Sequence, residues 1–107
     1  MELLRGRVYL ANLSGEGDEP ELWIVVSNNA RNKGLRHGLA ARVTTTNKYA
    51  TLDTVAQIPD GECIHGWALA DSMTWLYSDE PIKEIGALSR EAMRHVERAL
   101  RAALDLI

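Results

Sequence analysis

A single cysteine, Cys63, in a chain of 107 residues excludes an internal disulfide framework, and no cysteine–histidine pair has the spacing of metal ligands. Long apolar runs are missing too. None approaches the length that spans a bilayer, and the opening Met1-Glu2-Leu3-Leu4-Arg5 has no apolar signal core. These absences predict a soluble, cytoplasmic protein that works without metal or cofactor. No internal repeat and no low-complexity tract divide the chain, so residues 1–107 read as one domain. A domain of that size has a modest core, and pairing with a second copy would supplement it.

Acid is also missing from one stretch. From Leu22 to Leu52 there is no Asp or Glu, whereas Arg31, Lys33, Arg36, Arg42 and Lys48 all fall there. The flanking parts are acidic, so the whole chain has a net charge of -3 and a pI near 5.6. That total argues against a general polyanion binder. A basic segment inside an acidic protein implies a selective anionic partner instead. The competing reading is a solvated loop whose charges meet nothing.

The apolar run Leu22-Trp23-Ile24-Val25-Val26 stops abruptly at Ser27-Asn28-Asn29, as a buried strand does on entering a polar turn. A later strand, Leu39 to Thr45, ends in the hydroxyls Thr44-Thr45-Thr46. Two strand ends bearing small hydrogen-bonding groups, joined by a basic connection over 28–38, form an anion site if they lie together. The rest of the chain supports a β-rich fold. Alternation predicts a first strand near 6–13, a polar turn over Ser14–Pro20, a second strand over 22–28, and a further one over 54–58 before the Pro59-Asp60-Gly61 turn. Residues 66–72 and 84–88 are weaker strand candidates.

Helix is predicted only at the end. Ser89 is a good N-cap and Glu91 complements the helix dipole. Met93, Val96, Leu100, Ala103, Leu104 and Ile107 follow three- and four-residue spacing and define one apolar arc. Arg90, Arg94, Arg98 and Arg101 line another side, where acidic neighbours favour a solvated face. The expected architecture is a small, mostly antiparallel β-barrel closed by one C-terminal helix.

Leu4-Arg5-Gly6-Arg7-Val8-Tyr9, the Trp23–Asn29 strand end, Val43-Thr44-Thr45 and the strand-then-helix layout from Ile85 to Ile107 together resemble the MazF/PemK ribonuclease toxins of bacterial toxin–antitoxin modules. The wording of the Asn28-Asn29-Ala30-Arg31-Asn32 and Thr44-Thr45-Thr46 segments is most similar to an actinobacterial-type branch. The resemblance implies an SH3-like barrel of the CcdB/PemK/MazF kind that forms a homodimer, binds a cognate antitoxin, and arrests growth by cutting messenger, transfer or ribosomal RNA. Cutting would be metal-independent: the 2′-hydroxyl attacks the adjacent phosphate and leaves a cyclic phosphate and a 5′-hydroxyl.

Such chemistry needs a proton acceptor, a proton donor and a charge stabiliser for the phosphorane. Family members place an arginine at the start of the second strand and a threonine or serine at the end of the third. Thr44 matches the hydroxyl position. The arginine position is Glu21, which can accept a proton but repels phosphate. Arg7 and Arg31 are the candidate replacements for the missing cation. Asn28, Asn29, Lys33, Thr45, Thr46 and Lys48 are the candidate RNA-binding residues. His37 and His65 suit acid–base exchange by reference pKa but more often serve structure. Trp23 and Trp67 read as core, Trp75 and Tyr77 as stacking or partner-binding residues, and Cys63 as inert packing. Two other functions fit the same residues: an inactive relative that only binds RNA or protein, and the gyrase-poisoning branch of the fold. The acid-free segment favours RNA over gyrase, and the threonine cluster favours cutting over inert binding.

Overall fold

The computed structural model describes residues 1–13 and 19–106. Residues 14–18 of the predicted Ser14–Pro20 turn, and the helix-arc residue Ile107, lie outside the described residues. Among the described residues, six strands form one antiparallel sheet: β1 (Arg7–Ala11), β2 (Glu21–Val25), β3 (His37–Thr44), β4 (Val55–Gln57), β5 (Trp67–Tyr77) and β6 (Lys83–Ala87). Their order across the sheet is β4-β5-β3-β2-β1-β6. Among the described residues the edge strands β4 and β6 do not pair, so the sheet is not fully closed, while the mainly antiparallel β fold with one C-terminal helix is the one expected. The C-terminal helix α2 (Arg90–Ala103) packs against β4 and β5.

Alternation within the strands buries both faces. Val8 opposes Ile24, and both belong to a cluster with Val43, Ala68, Met93 and Val96 that seats α2. The neighbouring pair Tyr9 and Trp23 points the other way, into a second cluster with Leu3, Val25, Ala40 and Leu76. A side-chain period of two makes this division strict, since a one-residue slip would exchange the two cores. Trp23 is buried with its indole N–H donating to the Ala11 carbonyl at 3.1 Å. Tyr9 pins the N-terminal segment: its hydroxyl donates to the Glu2 carbonyl at 3.1 Å and accepts from Leu4 N–H at 3.0 Å, and burial pushes its pKa upward.

Helix α2 follows its sequence signals. The Ser89 hydroxyl accepts from Ala92 N–H, Glu91 sits in the first turn, and Met93 and Val96 are buried. Leu104 departs from the expected arc. It is the C-cap and is exposed, because the chain has left the helix there. Arg98 of the arginine stripe is structural, donating to the Asp53 and Val55 carbonyls at 3.2 and 3.1 Å.

The larger departure is a helix within the basic connection, α1 (Asn29–Leu35). The segment has no apolar period to announce it, and its stability comes from capping and tertiary hydrogen bonds. The Asn28 side chain accepts from Arg31 N–H at 2.8 Å, and Arg36 closes the helix in the left-handed conformation with φ of 58°. Asn32, only 3% exposed, exchanges hydrogen bonds with Ser27: its amide donates to the Ser27 carbonyl at 3.0 Å, and the Ser27 hydroxyl donates back to its Oδ1 at 2.5 Å. Ser27 Oγ also accepts from Leu39 N–H at 2.9 Å, so one partly buried knot ties the segment after β2 to α1 and β3.

Candidate functional site

The two polar strand ends that the sequence sets side by side lie apart. Strands β2 and β3 are antiparallel, with Leu22 opposite Val43 and Val25 opposite Ala40. The end of β2 therefore meets the beginning of β3, and Asn28 and Asn29 sit at the far end of the ladder from Thr44. At about 3.3 Å per residue, His37 and Thr44 are separated by roughly 23 Å along β3. The expected single cluster is two clusters.

The first contains Thr44. Continuing the register beyond Leu22 and Val43 brings Glu21 opposite Thr44, and the alternation of β3 puts Arg42 on the same face. Glu21 and Arg42 form an ion pair, with Glu21 Oε2 and Arg42 Nε both buried at the contact. Their exposures differ: the Glu21 side chain is 16% exposed and that of Arg42 43%. Thr44 Oγ1 accepts from Thr46 N–H at 3.3 Å and Thr46 Oγ1 from Lys48 N–H at 3.4 Å, so the hydroxyl run turns back on itself. The Lys48 ammonium lies 5.3 Å from the Tyr49 ring centroid. Arg42, Tyr49, Leu52, Val55, Leu69, Asp71 and Ser72 line an adjoining cavity of about 250 Å³. Behind the strand end, Gly66 has φ of +118° and runs so close to β3 that a Cβ would stand 2.3 Å from the Thr44 carbonyl oxygen.

A break in the β3–β5 register falls at Ala41 and Arg42. Ala41 pairs with Met73 but Arg42 with Leu69, leaving Ala70, Asp71 and Ser72 without partners in β3. Such a bulge bends the strand and re-aims the side chains beside it. Asp71, within the bulge, is tied by a short hydrogen bond from Thr54 Oγ1.

The second cluster lies at the opposite end of β3. Arg31 donates to the His37 carbonyl at 2.9 Å, and its guanidinium carbon is 5.2 Å from the Trp75 ring centroid. The His37 ring stands edge-on to Trp75 at 4.5 Å and to Tyr77 at 5.2 Å. Trp75 and Tyr77 are about half exposed, at 49% and 50%. Trp67, by contrast, is half-buried on its strand.

The sequence-predicted residues divide accordingly. Glu21, Thr44, Thr45, Thr46 and Lys48 share the first end, whereas Asn28, Asn29, Arg31 and Lys33 belong to the second. Arg31 is thus held away from Thr44 within one chain. Arg7, at the far end of β1 from Ala11 and Glu21, pairs with Glu84 at 3.1 Å across to β6. Asn28 serves as the α1 cap, and Asn29 Oδ1 accepts from Arg5 N–H at 2.6 Å. Neither arginine proposed to replace the missing cation reaches Thr44, and Arg42, which does share its face, carried a usable signal: two residues before Thr44 on a strand. His65 is exposed, and Cys63 is exposed rather than packed, though partial desolvation raises its thiol pKa. Among the described residues, no three or more His, Cys, Asp or Glu side chains converge as metal ligands, and no helix is long and apolar enough to cross a membrane.

Comparison with known proteins agrees across nearly the whole chain. The endoribonuclease MazF4 of Mycobacterium tuberculosis (strain ATCC 25618 / H37Rv) is 36% identical over 103 residues, covering 96% of this chain and 93% of that protein. The endoribonuclease MazF1 of Mycobacterium bovis (strain ATCC BAA-935 / AF2122/97) matches to the same degree. A solved mycobacterial endoribonuclease in complex with its cognate antitoxin superposes with a TM-score of 0.88 at 35% identity, covering 97% of this chain and 96% of that one. A MazE–MazF structure from Deinococcus radiodurans, with a TM-score of 0.79 at 19% identity and coverage of 100% and 99%, shares the fold. Residues 4–104 match the family described as the PemK-like, MazF-like toxin of type II toxin–antitoxin systems, and with the relatives above this shows that the chain belongs to that family.

Proposed function

We propose that this toxin is a cytoplasmic, metal-independent endoribonuclease that cuts single-stranded RNA at short sequences by attack of the 2′-hydroxyl on its neighbouring phosphate. A cognate antitoxin partner follows from membership of a type II toxin–antitoxin family. The observation that carries the chemistry is Thr44. Its oxygen accepts the Thr46 N–H, which leaves the hydroxyl proton available to donate to a phosphoryl oxygen at the end of β3. Thr45, Thr46 and Lys48 extend the same edge toward the RNA backbone. The aromatic cluster of His37, Trp75 and Tyr77, with Arg31 against it, suits base stacking. Asn28, Asn29 and Lys33 lie toward that end, so one strand running across the sheet would meet both.

The test is to incubate the purified chain with a long mixed-sequence RNA transcript in EDTA and count new ends. Cutting should persist and leave cyclic phosphates and 5′-hydroxyls. Thr44→Ala should slow it by about 10²–10³, the usual effect of removing one transition-state donor. Absence of new 5′-hydroxyl ends under every condition would favour the second reading, an RNA-binding relative that does not cut. The observation in favour of that reading is the Glu21 carboxylate at the family's arginine position.

The active form is a homodimer on this reading, because a small domain that also exposes Leu35, Ile82 and Leu104 has apolar surface to cover. Light scattering should give twice the 11.9 kDa mass at micromolar concentration. A lone 11.9 kDa species would contradict this.

A further inference from the structure

We propose that Arg42 holds the scissile phosphate and that Glu21 is a positioning residue for Arg42. This rests on the endoribonuclease reading of the Thr44 end and explains how that end can work with a carboxylate at position 21. The alternation of β3 places the Arg42 and Thr44 side chains on one face, and the β2–β3 register sets Glu21 across from Thr44, diagonal to Arg42. The ion pair engages the guanidinium through Nε, with both contacting atoms buried. An arginine carries five N–H donors in a planar fork. Fixing the Nε side leaves the two Nη groups to meet an incoming oxyanion as a preset pair.

Two further features direct this fork. Opposite Arg42, β5 carries the three extra residues Ala70, Asp71 and Ser72, and a bulge there bends β5 and increases the local twist beside the residue whose side chain must be aimed. Arg42 also stands on the rim of the cavity lined by Tyr49, Leu52 and Asp71, where a nucleotide attached to the phosphate can lie. The Glu21 carboxylate does not cancel the attraction. It sits behind Nε, farther from the phosphate than the Nη groups, and Coulomb energy falls with distance, so the nearer cation prevails. The pairing also argues against Glu21 as proton acceptor, since its buried oxygen already faces a cation.

A lysine at position 42 would retain the charge but lose the fork, and Gln at position 21 would retain an acceptor for Nε but lose the charge. Single-turnover cutting of an RNA oligonucleotide spanning the principal wild-type cut separates these roles. Arg42→Ala should lower the saturated rate by about 10²–10³, with Arg42→Lys recovering no more than a tenth of wild-type activity. Glu21→Gln should stay within about tenfold of wild type, whereas Glu21→Ala should lose more, chiefly in rate at saturating RNA rather than in KM. Arg42→Gln serves as the second variant if the alanine form does not fold, and should show the same loss.

Folded Arg42→Ala or Arg42→Gln that cuts within threefold of wild type would overturn this inference alone. So would Glu21→Gln that abolishes cutting and removes the acid limb of the pH–rate profile while Arg42→Lys stays active, because Glu21 would then be the proton acceptor. A wild-type chain that yields no 5′-hydroxyl ends would overturn the endoribonuclease reading and this inference with it.

Discussion

At the Thr44 end of the β2–β3 ladder, short polar groups stand on strands whose register fixes them, and an arginine is clamped by a carboxylate. At the His37 end, the groups are rings and a guanidinium stacked edge to face, half open to solvent, beside a helix of seven residues. The first end suits bond-making, which demands placement to a fraction of an ångström. The second suits recognition, which demands a flat, partly apolar surface. On the proposed reading, one antiparallel ladder sets the two tasks roughly 23 Å apart along β3, a separation that a few nucleotides of extended RNA can span.

That division can be broken from the recognition side. Trp75→Ala should weaken RNA binding by about 1–3 kcal/mol, several-fold to a hundredfold in Kd, while leaving the cutting rate of saturated RNA unchanged. Fluorescence anisotropy and single-turnover kinetics on the same oligonucleotide read the two separately. Unchanged RNA affinity accompanied by loss of dimer or antitoxin binding would make the aromatic cluster a protein contact instead. A smaller effect sharpens the comparison. Lys48→Ala, at the Thr44 end, and Lys33→Ala, on α1, should each reduce the slope of log affinity against log salt by about 0.7. A slope that responds to Lys48 but not to Lys33 would confine the RNA path to the Thr44 end.

The sequence made the strands and the terminal helix readable because local pattern and tertiary demand agree there. Alternation in Val8-Tyr9-Leu10 and Trp23-Ile24-Val25 reflects two real cores, and the Ser89 cap forms as expected. Helix α1 was illegible for a physical reason: its buried determinant is one asparagine bonded to Ser27, and a hydrogen-bond knot between distant positions leaves no periodic trace. At the site, Thr44 was legible as a hydroxyl at a strand end. The arginine beside it was less legible: Arg31 adjoins a strand end in sequence and Arg7 opens the neighbouring first strand, and neither cue tells which arginine shares the Thr44 face. Only the antiparallel register reveals that the start of β2, not its end, shares the Thr44 face with Arg42.

Gly66 carries a consequence for heredity. A residue with no functional group touches nothing that reacts, yet any side chain there would collide with the Thr44 carbonyl, and its backbone adopts a conformation that other residues resist. Variation at position 66 is therefore tightly limited by the Thr44 backbone. On the proposed reading of Thr44, a substitution at this glycine would disarm the toxin as one at the threonine would. A lineage that keeps a working toxin on that reading keeps both.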